Sequence, residues 1–293
     1  MDLKFDKEKL NKYAKVYNSD KHTEKSPEII ENNSISDTLV CIEEDKAEKL
    51  NNSNVIKNIS FDQSEILYNI MQLYNNGEPF DCDMTASELK FYNAKGQKYP
   101  IPEPKILFDV FPLQDKIKKI VPFQPLPLED NSIGSIVFDP PFVVSPKTAP
   151  SVKENKEGSN MIFNRFFAFY PVNELYYNYY FWIKECYRVL KPDGILIGKF
   201  GSSISGGYSH WSEEWAFMAG MNTGFYIIDK FILEAKARLI SSSKIKKQKH
   251  ARKYTSVFYV FQKNTKMHNK FDYFSMLKEM DSKDLQGMEW DVK

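Results

Sequence analysis

Cysteine, glycine-rich turns and long apolar runs are all scarce in this chain, and each shortage removes a class of function. The three cysteines, Cys41, Cys82 and Cys186, stand far apart with no CxxC spacing. That argues against a zinc site or any other metal and against a disulfide framework, and it fits a reducing, cytoplasmic setting. No apolar stretch approaches the roughly 18 residues that span a bilayer. The first residues, with Asp2, Lys4 and Asp6, are too charged for a signal peptide, so a soluble chain with no membrane partner is expected. Neither sign of charge is in surplus: Lys+Arg 40 against Asp+Glu 39 gives a formal charge of +1. Any attraction to nucleic acid must therefore come from local clusters. No G-x-G occurs anywhere, and no segment repeats.

What remains is a globular composition, 42% hydrophobic and 15% aromatic over 293 residues, enough to fill a sizeable core. Residues 1–58 are rich in Lys, Glu, Asn and Ser without a sustained period, and read as an extension, partly helical or disordered. From Phe61 the pattern changes. Ile66, Leu67, Ile70, Met71 and Tyr74 recur at helical spacing, with Asp62 placed to cap the start and Gly77 to end it. Short strands are expected at 79–82, 106–110, 117–123 and 133–138. A helix from Asn173 to Leu190 then turns through Lys191-Pro192-Asp193-Gly194 into a strand at 195–200, and a helix at 213–221 precedes strands at 225–233 and 256–262. Strands alternating with connecting segments predict an α/β domain over 59–263 with a mostly parallel sheet. Residues 264–293 read as a tail carrying one amphipathic helix.

The residues that carry chemistry are Asp139-Pro140-Pro141-Phe142, placed directly after the apolar run Ser135-Ile136-Val137-Phe138. A carboxylate and the Pro140 carbonyl can both accept hydrogen bonds from an exocyclic amine, the Pro-Pro step holds that carbonyl rigid, and Phe142 can stack on a planar ring. Such a grip suits methylation of an amino nitrogen on a base. Upstream, the loop 126–133 offers Asp130 and Asn131, groups able to contact the adenine of a nucleoside cofactor.

Together these pieces resemble S-adenosylmethionine-dependent methyltransferases, and within them the enzymes that modify adenine N6 or cytosine N4. Phe61-Asp62-Gln63-Ser64, Phe80 to Thr85, Phe108 to Pro112, the Asp-Pro-Pro-Phe and Gln248 to Tyr254 look like a DNA-methylase-like family of bacteria and their phages. The likeness covers roughly residues 60–263. It implies a Rossmann-like class I methyltransferase fold, S-adenosyl-L-methionine as cofactor, DNA as partner, and adenine N6 ahead of cytosine N4, because an acidic residue before Pro-Pro is more usual in adenine enzymes. Carried onto this chain, Asp81, Asp83 and Thr85 replace the family's glycine-rich cofactor turn, and Asp109 takes the place of the acidic residue that holds ribose hydroxyls. Gly134 stands where the family commonly has Asp. Transfer by direct displacement on a flipped-out base is implied, whereas methylation at carbon-5 of cytosine would need a Pro-Cys nucleophile that the chain lacks.

Between Lys236 and Lys253 eight basic residues occur without one acidic residue, among them Lys246, Lys247, Lys249, Arg252 and Lys253. Such a run can neutralise several phosphates, or it can be an ordinary solvated loop. The loop 201–211, with Tyr208 and His210, mixes hydroxyls and rings suited to splayed bases. Lys199 either reaches phosphate or simply ends a strand. No large insertion reads as a target-recognition domain, so recognition is short or loose, or a partner protein supplies it. An RNA or other amino-group methyltransferase, and a silent module that keeps the fold for binding, are the alternatives.

Overall fold

In the computed structural model, residues 55–92, 98–144, 168–169, 172–236 and 249–282 are described. The chain divides into Met1–Val55 and Ile56–Lys293, and all described residues but Val55 belong to the second unit. Its largest sheet has eight strands: β1 (Ile59–Ser60), β2 (Cys82–Asp83), β3 (Ile106–Asp109), β4 (Lys118–Lys119), β5 (Ile133–Phe138), β8 (Leu190–Phe200), β11 (Tyr226–Glu234) and β12 (Thr255–Gln262). Their spatial order is β1-β11-β12-β8-β5-β2-β3-β4. Neighbours pair in parallel except at β12, which runs antiparallel to both β8 and β11. Two small ribbons complete the strands, β6 (Val143–Val144) with β7 (Ala168–Phe169), and β9 (Ser203–Ser205) with β10 (Tyr208–His210).

Period-2 alternation along the strands divides the core between the two faces of the sheet. On one face Ile136, Phe138, Leu196 and Phe200 pack with Leu175, Tyr179 and Ile183 of α2 (Val172–Val189) and with Ala216 and Ala219 of α3 (Ser212–Thr223). On the other, Val137, Ile195, Ile197, Phe258 and Val260 pack with Ile66, Leu67, Ile70 and Met71 of α1 (Gln63–Tyr74). Helix α1 begins as its sequence dictates, the Asp62 carboxylate accepting the Ser64 N–H at 2.8 Å. It ends at Tyr74: the Asn75 N–H donates to the Met71 carbonyl at 3.1 Å and, after Asn76 with φ +55°, the Gly77 N–H reaches the same carbonyl at 3.0 Å.

The sheet departs from the sequence pattern in places with identifiable causes. The strand expected at 117–123 shrinks to Lys118–Lys119, because Pro122 has no N–H and Phe123 takes a left-handed backbone (φ +60°). The strand expected at 79–82 becomes Cys82–Asp83, since Asp81 spends its N–H on Ser135 Oγ at 2.9 Å. The turn at 191–194 lies inside the long β8, where Asp193 adopts φ +60° and the register with β5 shifts. The tail carries two helices, α4 (Thr265–Lys270) and α5 (Tyr273–Ser282), the first capped by Asn264. Residues 201–211, expected as loop, contain the hairpin β9–β10. Its two-residue tip, Gly206-Gly207 at φ +59° and +84°, has the mirror-image turn that matches strand twist. Among the described residues no helix is long and apolar enough to cross a membrane.

Candidate active site

Strands β2, β3, β5 and β8 all end on one edge of the sheet, and the residues that follow them face each other there. Between β2 and β5 the chain's route across the sheet changes direction, the place where open α/β sheets leave a crevice for ligands. Asp139 leaves β5 at that point. Its backbone N–H donates to Thr85 Oγ1 at 2.7 Å, and its carboxylate Oδ2 accepts from Lys199 Nζ at 3.0 Å. The Asp139 side chain is 24% exposed, so it borders the crevice rather than the apolar interior. Pro140 is buried, the Pro141 carbonyl accepts the Tyr179 hydroxyl at 3.1 Å, and the ring of Phe142 lies against Gly201. A Cβ at position 201 would stand 3.3 Å from that ring, so a glycine there lets the aromatic lie flat on the chain after β8.

Lys199 stands one residue from the end of β8 (Leu190–Phe200), in the ladder opposite Phe258. Instead of reaching outward for phosphate, it turns along the α1 face of the sheet to Asp139, with Gln63 Oε1 at 3.4 Å and the rings of Phe91 and Phe258 within 6 Å of its ammonium. Alternation places Lys199 and Asp139 on this same face, beside the first turn of α1.

Behind Asp139 a chain of hydrogen bonds fixes its backbone. The Thr85 hydroxyl donates to Asp83 Oδ1 at 3.2 Å, the Thr85 N–H donates to the same oxygen at 2.8 Å, and the Tyr92 hydroxyl donates to Asp83 Oδ2 at 2.7 Å. Asp83 is therefore a buried support with both oxygens engaged, not a residue facing a cofactor. Burial, helped by the charge of Asp139, pushes its carboxyl up from 3.8 to about 7 against the lowering effect of those bonds. An acid with a raised folded value binds its proton more tightly when folded. Its stabilising effect is complete below the unfolded value and is lost as pH rises through about 7. Asp83→Asn keeps an acceptor for Thr85 and removes the titration. The variant should gain on the wild type by about 2 kcal/mol between roughly pH 5 and pH 8 in urea unfolding. Parallel pH profiles for the two proteins would contradict this.

The other acidic groups expected to hold cofactor divide by position. Asp109, at the end of β3, accepts the N–H groups of Ser87 at 2.8 Å and Phe111 at 2.7 Å, one on each oxygen. A carboxylate has about four acceptor sites, so two remain for hydroxyls. Asp81 is structural: Oδ2 accepts the N–H groups of Gly134 at 2.8 Å and Ser135 at 3.1 Å. A Cβ at position 134 would come within 2.9 Å of that oxygen, which explains Gly134. Asp130 and Asn131 lie at the opposite edge, because they precede β5 while Asp139 follows it. Six strand residues at about 3.3 Å each separate the two ends by roughly 20 Å. There Asp130, 68% exposed, pairs with Arg188 at 2.6 Å, and Asn131 accepts from Lys263 at 2.8 Å. Neither can touch a ligand at the carboxyl edge.

Of the residues expected to meet substrate, Tyr208 and His210 stand on β10, in the ribbon that packs beside β6, the strand that follows Phe142. Tyr208 is 74% exposed. Lys249 and Arg252 are exposed, and Lys253 sits over the Trp211 ring at 4.2 Å. His250 Nε2 bonds the Gly207 carbonyl at 2.7 Å, joining the basic segment to the hairpin tip. Lys246 and Lys247 lie outside the described residues.

Three features escaped the sequence reading. Tyr92 anchors Asp83. Phe111, two residues past Asp109 at the carboxyl end of β3, is 51% exposed. The turn after β2 uses no glycine, because Ser87 (φ +45°) and Leu89 (φ +58°) adopt left-handed backbone themselves. The exposed aromatic beside an acidic strand end was visible as a signal; the two left-handed residues were not.

A family model described as a DNA methylase matches residues 133–292, more than half of the chain. No curated protein matches it. Solved structures resemble it distantly. The PvuII cytosine-N4-specific DNA methyltransferase is 17% identical, over 47% of this chain and 45% of that one, with a TM-score of 0.32. A SAM-dependent methyltransferase from Methanosarcina mazei is 13% identical over 65% and 96%, with a TM-score of 0.33. The chain thus spans less than half the length of the PvuII enzyme.

Proposed function

The chain belongs to the DNA methylase family of N6-adenine and N4-cytosine type, and from that membership we propose that it transfers a methyl group from S-adenosyl-L-methionine to the exocyclic amine of a DNA base, adenine N6 first and cytosine N4 second. One observation carries the reading. Asp139 stands at the carboxyl tip of the middle strand, bordering the crevice, with its backbone tied by Thr85 and one carboxylate oxygen held by Lys199.

The residues across the crevice have the chemistry such a cofactor needs. Asp109 keeps acceptor sites for ribose hydroxyls, and the exposed ring of Phe111 can lie on an adenine. When bound, the cofactor supplies a methyl group on a sulfonium, which the amine lone pair takes while the carbon–sulfur electrons stay on sulfur. Asp139 Oδ1 accepts one amine hydrogen and the Pro140 carbonyl the other, turning the lone pair out of conjugation and toward the methyl. Asp139 then takes the proton that the methylated nitrogen gives up and passes it to water. Preorganised acceptors of this kind act where charge develops in the transition state. The Asp139–Lys199 pair also favours a neutral acceptor, since a cationic side-chain amine would meet the like charge of Lys199.

The hairpin β9–β10 and the basic segment supply the DNA surface. Lys249 and Arg252 contact phosphate, while Tyr208 and Trp211 offer ring faces to unstacked bases. Replacing both Lys249 and Arg252 by Ala should weaken duplex binding uniformly across sequences. It should also flatten the dependence of log K on log salt by up to about 2; an unchanged slope would remove this segment from the interface. The reading as a whole is tested by sequencing modified bases in DNA from cells that express the chain, beside an Asp139→Ala control. Methylated adenine or cytosine with the wild type alone supports it. No mark in DNA, with transfer to RNA or protein from labelled cofactor, would replace it.

A further inference from the structure

Lys199 is buried more deeply than a lysine usually is, its side chain 13% exposed, yet it lies in the middle of the proposed site rather than at its rim. Burying an ammonium is costly unless it is paired. Here the pairing group is Asp139 Oδ2 at 3.0 Å, with Gln63 Oε1 as a weaker partner at 3.4 Å, and the rings of Phe91 at 5.3 Å and Phe258 at 5.8 Å form the walls. Gln63 and the two rings come from three parts of the chain: α1, the segment after β2, and β12. Lys199 itself is fixed by β8, whose ladder with β12 sets Lys199 opposite Phe258. Both charged groups thus project from neighbouring strands with little freedom to swing.

We infer that Lys199 is the positioning residue of the site: by occupying Asp139 Oδ2 it sets the rotation of the carboxylate and leaves Oδ1 alone to face the incoming amine. This rests on the proposed amine methylation and adds to it a residue that acts only through Asp139. An unheld carboxylate could rotate and share both oxygens among water and substrate. A held one offers a single acceptor in one direction, and direction matters because misplacement by about 1 Å can cost about 10²-fold in rate.

The experiment is a double-mutant cycle of Lys199→Met and Asp139→Asn, read by turnover, by the KM values for cofactor and DNA, and by urea unfolding. Lys199→Met keeps the length of the stem and removes the ammonium. It should lower kcat by about 10²-fold with both KM values within about threefold, and Lys199→Arg should recover part of the loss. On the Asp139→Asn background Lys199→Met should cost nothing further and should recover part of the loss, because it releases the amide oxygen that Lys199 holds and lets it turn to the amine. Independent, multiplicative losses would overturn the inference, as would a rise in the KM for DNA with kcat unchanged, which would make Lys199 a phosphate contact. If the wild type transfers no methyl to DNA, the proposed function falls by itself. The pair is then still read in the unfolding cycle, where additive effects of the two substitutions would show that they do not interact.

Discussion

Asp139→Asn is expected to lower methyl transfer to DNA by about 10³-fold while leaving the affinity for S-adenosylhomocysteine within a few-fold of the wild type. The asymmetry follows from position. Asp139 lies at the tip of β5, whereas Asp109 and Phe111 lie two strands away, past β2, at the end of β3. Asn is a harsh replacement in this setting. Its one carbonyl oxygen is the partner that Lys199 demands, so its NH2 turns toward the incoming amine and sets donor against donor. Asp139→Ala removes the acceptor too, but it also strips the carboxylate from a largely buried ammonium and should cost stability. Comparing the two separates lost chemistry from lost fold: both variants inactive, with the alanine form, which keeps no acceptor for the ammonium, unfolding earlier in urea than the asparagine form. Labelled methyl transfer and calorimetry with S-adenosylhomocysteine measure the effect. Transfer at the wild-type rate by a folded Asp139→Asn protein would remove the carboxylate from the mechanism.

Much of the fold was legible in the residues. The spacing of Ile66, Leu67, Ile70 and Met71 gave α1 together with its cap and stop, and the unbroken apolar run 135–138 gave the central strand and the site at its end. The parallel sheet and the class I methyltransferase fold agree with the expectation, as does the family. What the residues concealed is which partner each carboxylate would find. Asp81, Asp83, Asp109 and Asp130 look alike in sequence. In space one clamps the start of β5, one is buried behind Thr85, one borders the crevice, and one is a surface partner of Arg188. Partners 53 and 58 residues away along the chain decide two of these roles, between Asp81 and Gly134 and between Asp130 and Arg188, and periodicity carries no information at that range. Asp130 and Asn131 are kept from the site for a simpler reason: they are near Asp139 along the chain, but the whole of β5 lies between.

The turn after β2 takes left-handed backbone at two positions without glycine. Such backbone costs residues other than glycine about 1 kcal/mol or more. Here Ser87 and Leu89 accept that cost, and the compensation is visible. The Ser87 N–H is taken by Asp109 Oδ2, the Leu89 N–H by the Ala86 carbonyl at 2.7 Å, and the Leu89 side chain is buried. Asp109 therefore links the turn after β2 to the end of β3.

Arg188 and Asp130 make the sharpest contrast at the opposite edge. The Arg188 guanidinium donates to the carbonyls of Leu128 at 3.0 Å and Leu126 at 3.1 Å, to Asp130 at 2.6 Å, and to Glu185 at 2.8 Å. Glu185 is buried and also accepts the Leu126 N–H at 2.9 Å. These bonds hold the loop 126–131 onto the end of α2, and with it the entry into β5. Arg188→Met would leave the Glu185 carboxylate buried without its counter-charge and two carbonyls without a donor, at a cost of about 3 kcal/mol. Asp130→Ala removes only a solvent-exposed partner of the same arginine and should cost less than about 1 kcal/mol. Urea unfolding measures both. The functional half of the contrast is that Asp130→Ala should leave the affinity for S-adenosylhomocysteine unchanged, since about 20 Å of strand separates it from the crevice. Calorimetry that found a large loss of affinity in a stable Asp130→Ala protein would return this loop to the cofactor site and contradict the direction assigned to β5.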